Sequence, residues 1–559
     1  MILRTKLIAA SAILLSAASL NAVAQEAAGS DMAVLRNTVV NLLDAMVKQG
    51  LISKESAERL VADAQSKANA EATARASTDA AGPGDVRVTY VPRVVQDEIT
   101  AQVKQDVQAA VVADVKKAAV EEGWGVPAAL PSWVRNARWS GDIRVRGEYT
   151  AYADSNQPFT YKDFQAINDA GGQAPAGTDA FFNTTEDQIR YQLKMNFGAQ
   201  FDLAENALAS IRFGTGNQSS PVTRNQALGD FDRTFPLLLE EAYLRLGTSP
   251  TARNHQVQFW AGRTPNPYQS TELVWDNDVR FNGFTLQYAW NNPQLPGEAR
   301  QARGLFVTTG AYPVQEIELT QDDKWLLSAQ LGYEFDPLPE LRLSLAAAYH
   351  DYQNIVGKTN TLNSTALDYT APEFVQKGNT YFDIRNDTDP DTELYALAAD
   401  FNILDVSAVA TWTLQPDLVL DISANYASNV GYDYGEVFQR VGGCTPITNP
   451  EPGGPTEICP IEKADAYRLE FRVGNPDIAR PLAWRAFVAY HYAERDAVLD
   501  AFTDSDIHRG GTDAEGYIIG GELGLTNNTW ARLRYLSADE IDGPFLGVDV
   551  LQLDLNGRF

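Results

Sequence analysis

Cysteine, histidine and methionine are scarce in this chain of 559 residues, with 2, 4 and 4 copies. His255, His350, His491 and His508 are scattered, with no H-E-x-x-H or other ligand-like spacing. Two cysteines with no histidine near them fall short of a zinc set, so neither a metal nor a cofactor is expected. Basic residues are also short, 45 Lys+Arg against 73 Asp+Glu, for a formal net charge of −28. So acidic a surface excludes nucleic acid as a partner. Long apolar runs are missing too. Past the first 24 residues, no stretch reaches the ~18 consecutive apolar residues that a membrane-crossing helix requires. No catalytic residue is assigned. His508 lies beside Asp504, Ser505 and Asp506, but groups that close on one loop rarely converge as nucleophile, base and orienter.

What the chain does have is aromatics and glycine, 23 Tyr, 23 Phe, 10 Trp and 40 Gly. Its first segment carries Arg4 and Lys6, an apolar run from Leu7 to Ala18, and Ala22-Val23-Ala24. Residues 1–24 therefore read as a secretory signal peptide. Residues 25–125 read as a periplasmic helical region. Its long helix, 86–123, spaces Ile99, Val103, Val107 and Val111 four apart. So narrow a stripe suits an interchain coiled coil, or a helix folded against its own neighbour. Residues 126–138 form a linker. In an oxidising compartment Cys444 and Cys459, both in one Gly/Pro-rich stretch, are expected to be disulfide-bonded.

From Trp139 to Phe559 the texture changes. Ile189, Tyr191, Leu193, Met195 and Phe197 alternate with Arg190, Gln192, Lys194 and Asn196. Period two gives a strand with one apolar and one wet face, and charges this deep must face water rather than lipid. The last eleven residues do the same, Leu551, Leu553 and Leu555 against Gln552, Asp554 and Asn556, and end on the aromatic Phe559. Sixteen such stretches can be followed, joined alternately by short turns and long connections. The fold expected is an all-β transmembrane barrel over 139–559, with its first and last strands paired and Tyr and Trp girdling the strand ends. The run P-L-L-L-E-E-A-Y at 236–243 breaks the alternation.

Several stretches resemble a known family. They are A-G-R-T-P-N-P-Y-Q-S-T-E-L-V-W-D-N-D at 261–278, A-P-E-F-V-Q-K-G-N-T at 371–380 and F-T-D-S-D-I-H-R-G-G-T at 502–512. L-S-A-D-E-I-D-G-P at 536–544 and D-V-L-Q-L-D-L-N at 549–556 complete the set. The chain is similar to the proteobacterial "putative porin" family of outer-membrane β-barrels. The resemblance implies a channel in the outer membrane of a Gram-negative bacterium and leaves the solute open.

The connection 265–282 is the third long one, the position at which general porins fold a loop inward. It carries Glu272, Asp276 and Asp278, which either cap a turn at the rim or form one side of a pore constriction. The wet faces of strands that become neighbours on closure carry Arg144, Arg146, Arg190, Lys194, Arg212 and Arg558, a basic wall opposite. Asp496, Asp500, Asp504 and Asp506 read as a solvated acidic loop, or as a site for a divalent cation or lipopolysaccharide. The function expected is a porin for passive diffusion of small hydrophilic solutes, embedded in outer-membrane lipid and lipopolysaccharide and assembled as a homotrimer. The alternative is a structural barrel tethering the envelope to peptidoglycan through its amino-terminal helices.

Overall fold

Sixteen of the expected strands close into one antiparallel barrel. The structure, a computed structural model, describes residues 137–216, 218–247, 255–290, 304–318, 320–389, 391–446, 457–458 and 462–559. The helices expected within 25–125 lie outside them. The first strands are β1 (Arg138–Tyr152), β2 (Gln188–Ala204), β3 (Ala207–Gly214) and β4 (Leu238–Gly247). Next come β5 (His255–Thr264), β6 (Phe281–Trp290), β7 (Gly304–Gln315) and β8 (Lys324–Leu338). The third group is β9 (Leu341–Gln353), β10 (Asn402–Gln415), β11 (Leu418–Asn429) and β12 (Asp465–Gly474). Last are β13 (Trp484–Ala493), β14 (Ala514–Thr526), β15 (Thr529–Glu540) and β16 (Gly547–Arg558). Each strand pairs with the next, and β16 pairs with β1 from Val548↔Tyr152 to Arg558↔Asp142. A two-residue strand, Gln226–Ala227, extends the sheet beside β2 past the end of β3.

Burial is inverted relative to a water-soluble domain. Leu553 is 58% exposed while its neighbour Gln552 is 1% exposed, and the same contrast runs round the wall. Ile189, Tyr191, Leu286, Leu331 and Leu404 face outward; Asn196, Gln287, Gln330, Asp405 and Arg534 face the bore. That arrangement is stable in lipid, where the outer band needs no water and the bore supplies it. Two aromatic belts flank the band. Tyr149, Tyr349, Tyr426, Tyr467, Tyr490 and Tyr517 lie toward the strand ends that carry the long loops. Trp139, Trp290, Trp412, Trp484 and Phe559 lie at the other ends. All are exposed, with amphipathic rings placed where a headgroup layer would meet them.

Two local features depart from simple alternation. The register between β3 and β4 slips between Arg212 and Phe213, so Arg212 faces Glu241 while Phe213 faces Leu239. This bulge turns both Glu240 and Glu241 inward while Leu237 and Leu239 stay exposed, which is why the E-E run reads as a break in sequence. The alternation of connection length is also less strict than the sequence suggests. Residues 291–303 and 475–483 lengthen two connections on the short-turn side, while 316–323 and 541–546 are brief on the other.

Three long connections, 265–280, 354–401 and 494–513, fold together within the wall and make a core of their own. Leu273, Trp275, Leu397, Phe401 and Val498 are buried there, with Phe502 against them. The bore is thereby narrowed by loops, not by wall side chains alone.

Candidate pore constriction

The connection between β5 and β6 crosses the bore and is tied to wall after wall. Gln269 accepts from Ser344 Oγ of β9 at 2.5 Å, and its backbone N–H donates to Gln330 Oε1 of β8 at 2.9 Å. Thr271 Oγ1 donates to Asn425 Oδ1 of β11 at 2.7 Å. Further along, the Asp276 N–H donates to the Phe502 carbonyl at 2.7 Å, and the Asp504 N–H to the Glu272 carbonyl at 3.1 Å. The polar residues Gln330, Ser344 and Asn425 lie on the inner faces of their strands, so the wet-face alternation itself builds the loop's anchor points.

Glu272 pairs with Arg468 of β12 at 3.0 Å. Asp278 pairs with Lys194 of β2 and accepts from the Arg224 backbone N–H at 3.2 Å. Asp276 does cap a turn, accepting from the Asp278 N–H at 2.7 Å, and also accepts from the Ser505 N–H at 3.0 Å. Among the described residues none of the three makes an ion pair with Arg144, Arg146, Arg190 or Arg212. Arg144 donates to Asn225 Oδ1 at 2.5 Å, Arg190 pairs with Glu148 at 2.6 Å, and Arg212 pairs with Asp142 at 2.5 Å. Arg146, fully buried, holds Asp554 at 2.7 Å and Asp506 at 2.8 Å.

Asp496, Asp500, Asp504 and Asp506, on the connection 494–513, are held by protein partners rather than by solvent. Asp496 accepts from Thr380 Oγ1 at 2.6 Å and Asp500 from the Tyr381 hydroxyl at 2.9 Å. Asp504 pairs with Arg468 at 3.3 Å, and Asp506 with Arg146 and Arg534. His508 Nε2 sits 2.8 Å from the Leu546 carbonyl, away from Ser505, whose hydroxyl donates to Val222 and Asp276.

Environment separates these carboxylates. Burial opposes ionisation of Glu272, but Arg468, Arg534 and Arg532 outweigh it and hold the group below its usual range. Burial likewise opposes ionisation of Asp278, and Lys194 and Arg144 reverse the balance. For Asp276 burial wins, reinforced by Asp278 and Asp504, and its carboxyl is pushed well up. Asp506 is held well below its usual range by Arg146 and Arg534 despite its burial.

Glu272 and Asn277 line a cavity of about 720 Å³ together with Arg468, which is paired with Glu272, and Arg472, Arg485, Arg532 and Arg534. Glu470 and Glu522 stand between these cations, Glu470 2.5 Å from Arg472 and Glu522 3.1 Å from Arg485. Opposed charge on a loop and a wall can sort solutes by charge. Sequence reading placed the basic wall on the strands around the seam and passed over this stretch. The signal was present: Arg468, Glu470 and Arg472 alternate on the wet face of β12, and Arg532 and Arg534 on that of β15.

The sequence model of the family described as "Putative porin" matches residues 36–559. The chain belongs to that family. No curated protein matches this porin-family chain. Among solved structures it is similar to Salmonella typhi OmpF in complex with daunomycin, at 11% identity and a TM-score of 0.38, covering 76% of this chain and 97% of that one. It is also similar to Pseudomonas putida OprB, at 13% identity and 0.38, with 76% and 94% covered. A third is the outer-membrane channel DcaP of Acinetobacter baumannii, at 12% identity and 0.35, with 76% and 97% covered.

Proposed function

We propose that this chain is an outer-membrane porin through which small hydrophilic solutes diffuse passively. Family membership and the lipid-suited exterior support the location. The observation that carries the reading is the connection 265–280 lying inside the barrel, with Glu272 paired to Arg468 on a cavity that four further guanidinium groups line. Unlike charges ~8 Å apart in water attract by only about 0.5 kcal/mol, rising where a low-dielectric wall focuses the field. Several such pairs sort solutes without trapping them, as conduction requires. To the constriction we assign Glu272, Asp276, Asp278, Arg144, Arg146, Arg190 and Arg212, and add Lys194 and Arg468. Homotrimeric assembly and contact with lipopolysaccharide are proposed with it, the helix at 86–123 serving as an assembly element. Purified protein in planar bilayers should give discrete, stable current steps in potassium chloride. A folded barrel that inserts and yields no steps would overturn the reading.

A further inference from the structure

A second cavity, of about 830 Å³, lies at the long-loop ends of β4 to β8, apart from the charged passage. Six aromatic residues line it: Trp275, Phe281, Tyr312, Phe374, Tyr381 and Phe502. They come from two infolded connections, the wall and the loop 354–401, and pack edge to face rather than collapsing. Trp275 and Phe281 have ring centroids 4.8 Å apart at 63°, and Phe281 and Tyr312 4.9 Å apart at 65°. The indole Nε1–H of Trp275 is buried and has no acceptor among the described residues.

The same cavity is lined by a cation that forms no ion pair among the described residues. Lys324, at the start of β8, is 2% exposed. Its ammonium donates to Gln315 Oε1 and to the Ala371 carbonyl, both at 2.7 Å and both neutral. An ammonium has three N–H groups, so one is left over. Glu373, also a lining residue, accepts from Gln315 Nε2 at 3.3 Å; its charge acts on Lys324 from a distance, without bonding to it. Arg263, on the same lining, donates to the Glu240 carbonyl and Asn282 Oδ1, each at 2.9 Å. A buried cation whose bonded partners are all neutral is costly unless something anionic reaches it. Here the space beside it is aromatic and of the size that holds one small molecule.

We propose that this cavity binds small aromatic carboxylates, the ring among Trp275, Phe281, Tyr312 and Phe502 and the carboxylate on Lys324. The binding site stands on its own geometry; that its ligand is a transported solute rests on the porin reading. The hydroxyl-rich solutes that suit the charged passage lack the flat apolar face this cavity offers. A simple inorganic anion would satisfy Lys324 but leave the aromatic lining unfilled.

The test is calorimetric titration of the purified full-length protein in detergent with 1-naphthoate and with its neutral isostere 1-naphthamide. Naphthoate should bind saturably, and naphthamide about tenfold more weakly or worse, as loss of a charge-assisted hydrogen bond implies. Lys324→Met keeps the alkyl stem and should cost naphthoate about tenfold while leaving naphthamide nearly unchanged. Phe374→Ala, at the partly buried edge of the lining, should weaken both ligands and serves if the Lys324 variant fails to fold. Absence of saturable naphthoate binding, equal affinity for the amide, or indifference to both substitutions would each overturn the proposal. Potassium chloride conductance is measured in parallel. Naphthoate binding to a barrel that never conducts would sink the porin reading and leave the site, whereas conduction without binding would do the reverse.

Discussion

Gly141 and Phe559 exchange two backbone hydrogen bonds, N–H to carbonyl in each direction, both 2.9 Å. This pair closes the barrel at its short-turn end, continuing the register in which Ile143 faces Gly557 and Val145 faces Leu555. A closed barrel has no edge strand, and in lipid an unpaired backbone group costs several kcal/mol. The ring of Phe559 lies over Gly141, where a Cβ would collide with it, and stacks on Phe197 at 6.5 Å.

Backbone and ring should therefore separate under mutation. Phe559→Ala keeps both hydrogen bonds and removes a ring that is already exposed, so it should cost about 1 kcal/mol or less. Deleting Phe559 removes both bonds and should cost about 2 kcal/mol. Urea unfolding of the refolded barrel in detergent micelles measures the difference. Equal costs for the two changes would mean that the ring, not the pairing, secures the seam.

Arg146 joins the seam to an infolded loop, because Asp554 belongs to β16 and Asp506 to the connection 494–513. All three side chains are shielded, and Arg146 is 0% exposed. Arg146→Met should cost about 3–5 kcal/mol, since it leaves Asp554 buried without its cation while Asp506 keeps Arg534. Changing Asp554 to Asn in the same chain should recover most of that loss, with Asp506 left in place to hold Arg534. Chemical unfolding midpoints test both steps, and a double variant no better than the single one would show that packing of the Arg146 stem is what matters.

The parts of this fold that follow from a local period were legible, and the parts that follow from distant contacts were not. Alternation over Gln188 to Phe201 assigns faces to β2 because each side chain needs only its own strand to know which way it points. Closure followed from the matched faces of the first and last strands. That the third long connection turns inward was expected from its place in the chain and its carboxylates. Its partners were out of reach, because Gln330, Ser344, Asn425 and Arg468 lie 61 to 196 residues away. The aspartates of 494–513 read as solvated for the same reason: their acceptor role depends on Thr380 and Tyr381, far upstream. The Glu240–Glu241 bulge shows the remaining gap, since a broken pattern flags a bulge without saying which residues turn inward.

Acid should tighten the loop core down to about the ordinary carboxylate range. Burial pushes Asp496 up to about 6 and Asp500 up to about 7, above the ordinary 3.8 of an aspartate. A raised folded value means that stability is fully present below the unfolded value and is lost as pH rises through 6 to 7. Asp276 acts in the same direction, whereas Glu272, Asp278 and Asp506, held low by their cations, lose their contribution only under stronger acid. Hydrogen exchange at Asn379 and Tyr381, corrected for its intrinsic pH dependence, should slow between pH 8 and pH 5. Asp500→Asn retains an acceptor for the Tyr381 hydroxyl and should flatten most of that dependence; an unchanged profile would move the effect elsewhere.

Cys444 and Cys459 should be bonded in protein exported to an oxidising compartment. Cys459 lies outside the described residues, but the short strands Thr445–Pro446 and Glu457–Ile458 pair with Thr445 facing Ile458. The next position outward on each side is a cysteine. Closing a loop of this length is worth about 3 kcal/mol in chain-entropy terms, acting here on loop order rather than on the barrel. Mass spectrometry of unreduced peptides should find the two segments joined, and free thiols at both positions would refute the bond.

Ion selectivity is the most direct readout of the constriction. Asp276→Asn with Asp278→Asn removes loop carboxylates, and Glu272→Gln removes the one facing Arg468. Zero-current potentials across a salt gradient should shift toward anion preference in both cases. Because burial already pushes the Asp276 carboxyl well up, most of the double variant's effect should come from Asp278. Arg144→Gln with Arg190→Gln, and separately Arg468→Gln, should shift preference toward cations. The geometry ranks these: Arg190 is half exposed and already paired with Glu148, while Arg468 is buried beside Glu272 and Asp504. Arg468→Gln should therefore move the potential more than the Arg144 and Arg190 pair does, and salt should screen the latter first. Unaltered selectivity in the Glu272 and Arg468 variants, with the barrel still folded, would place the filter somewhere other than this loop and wall.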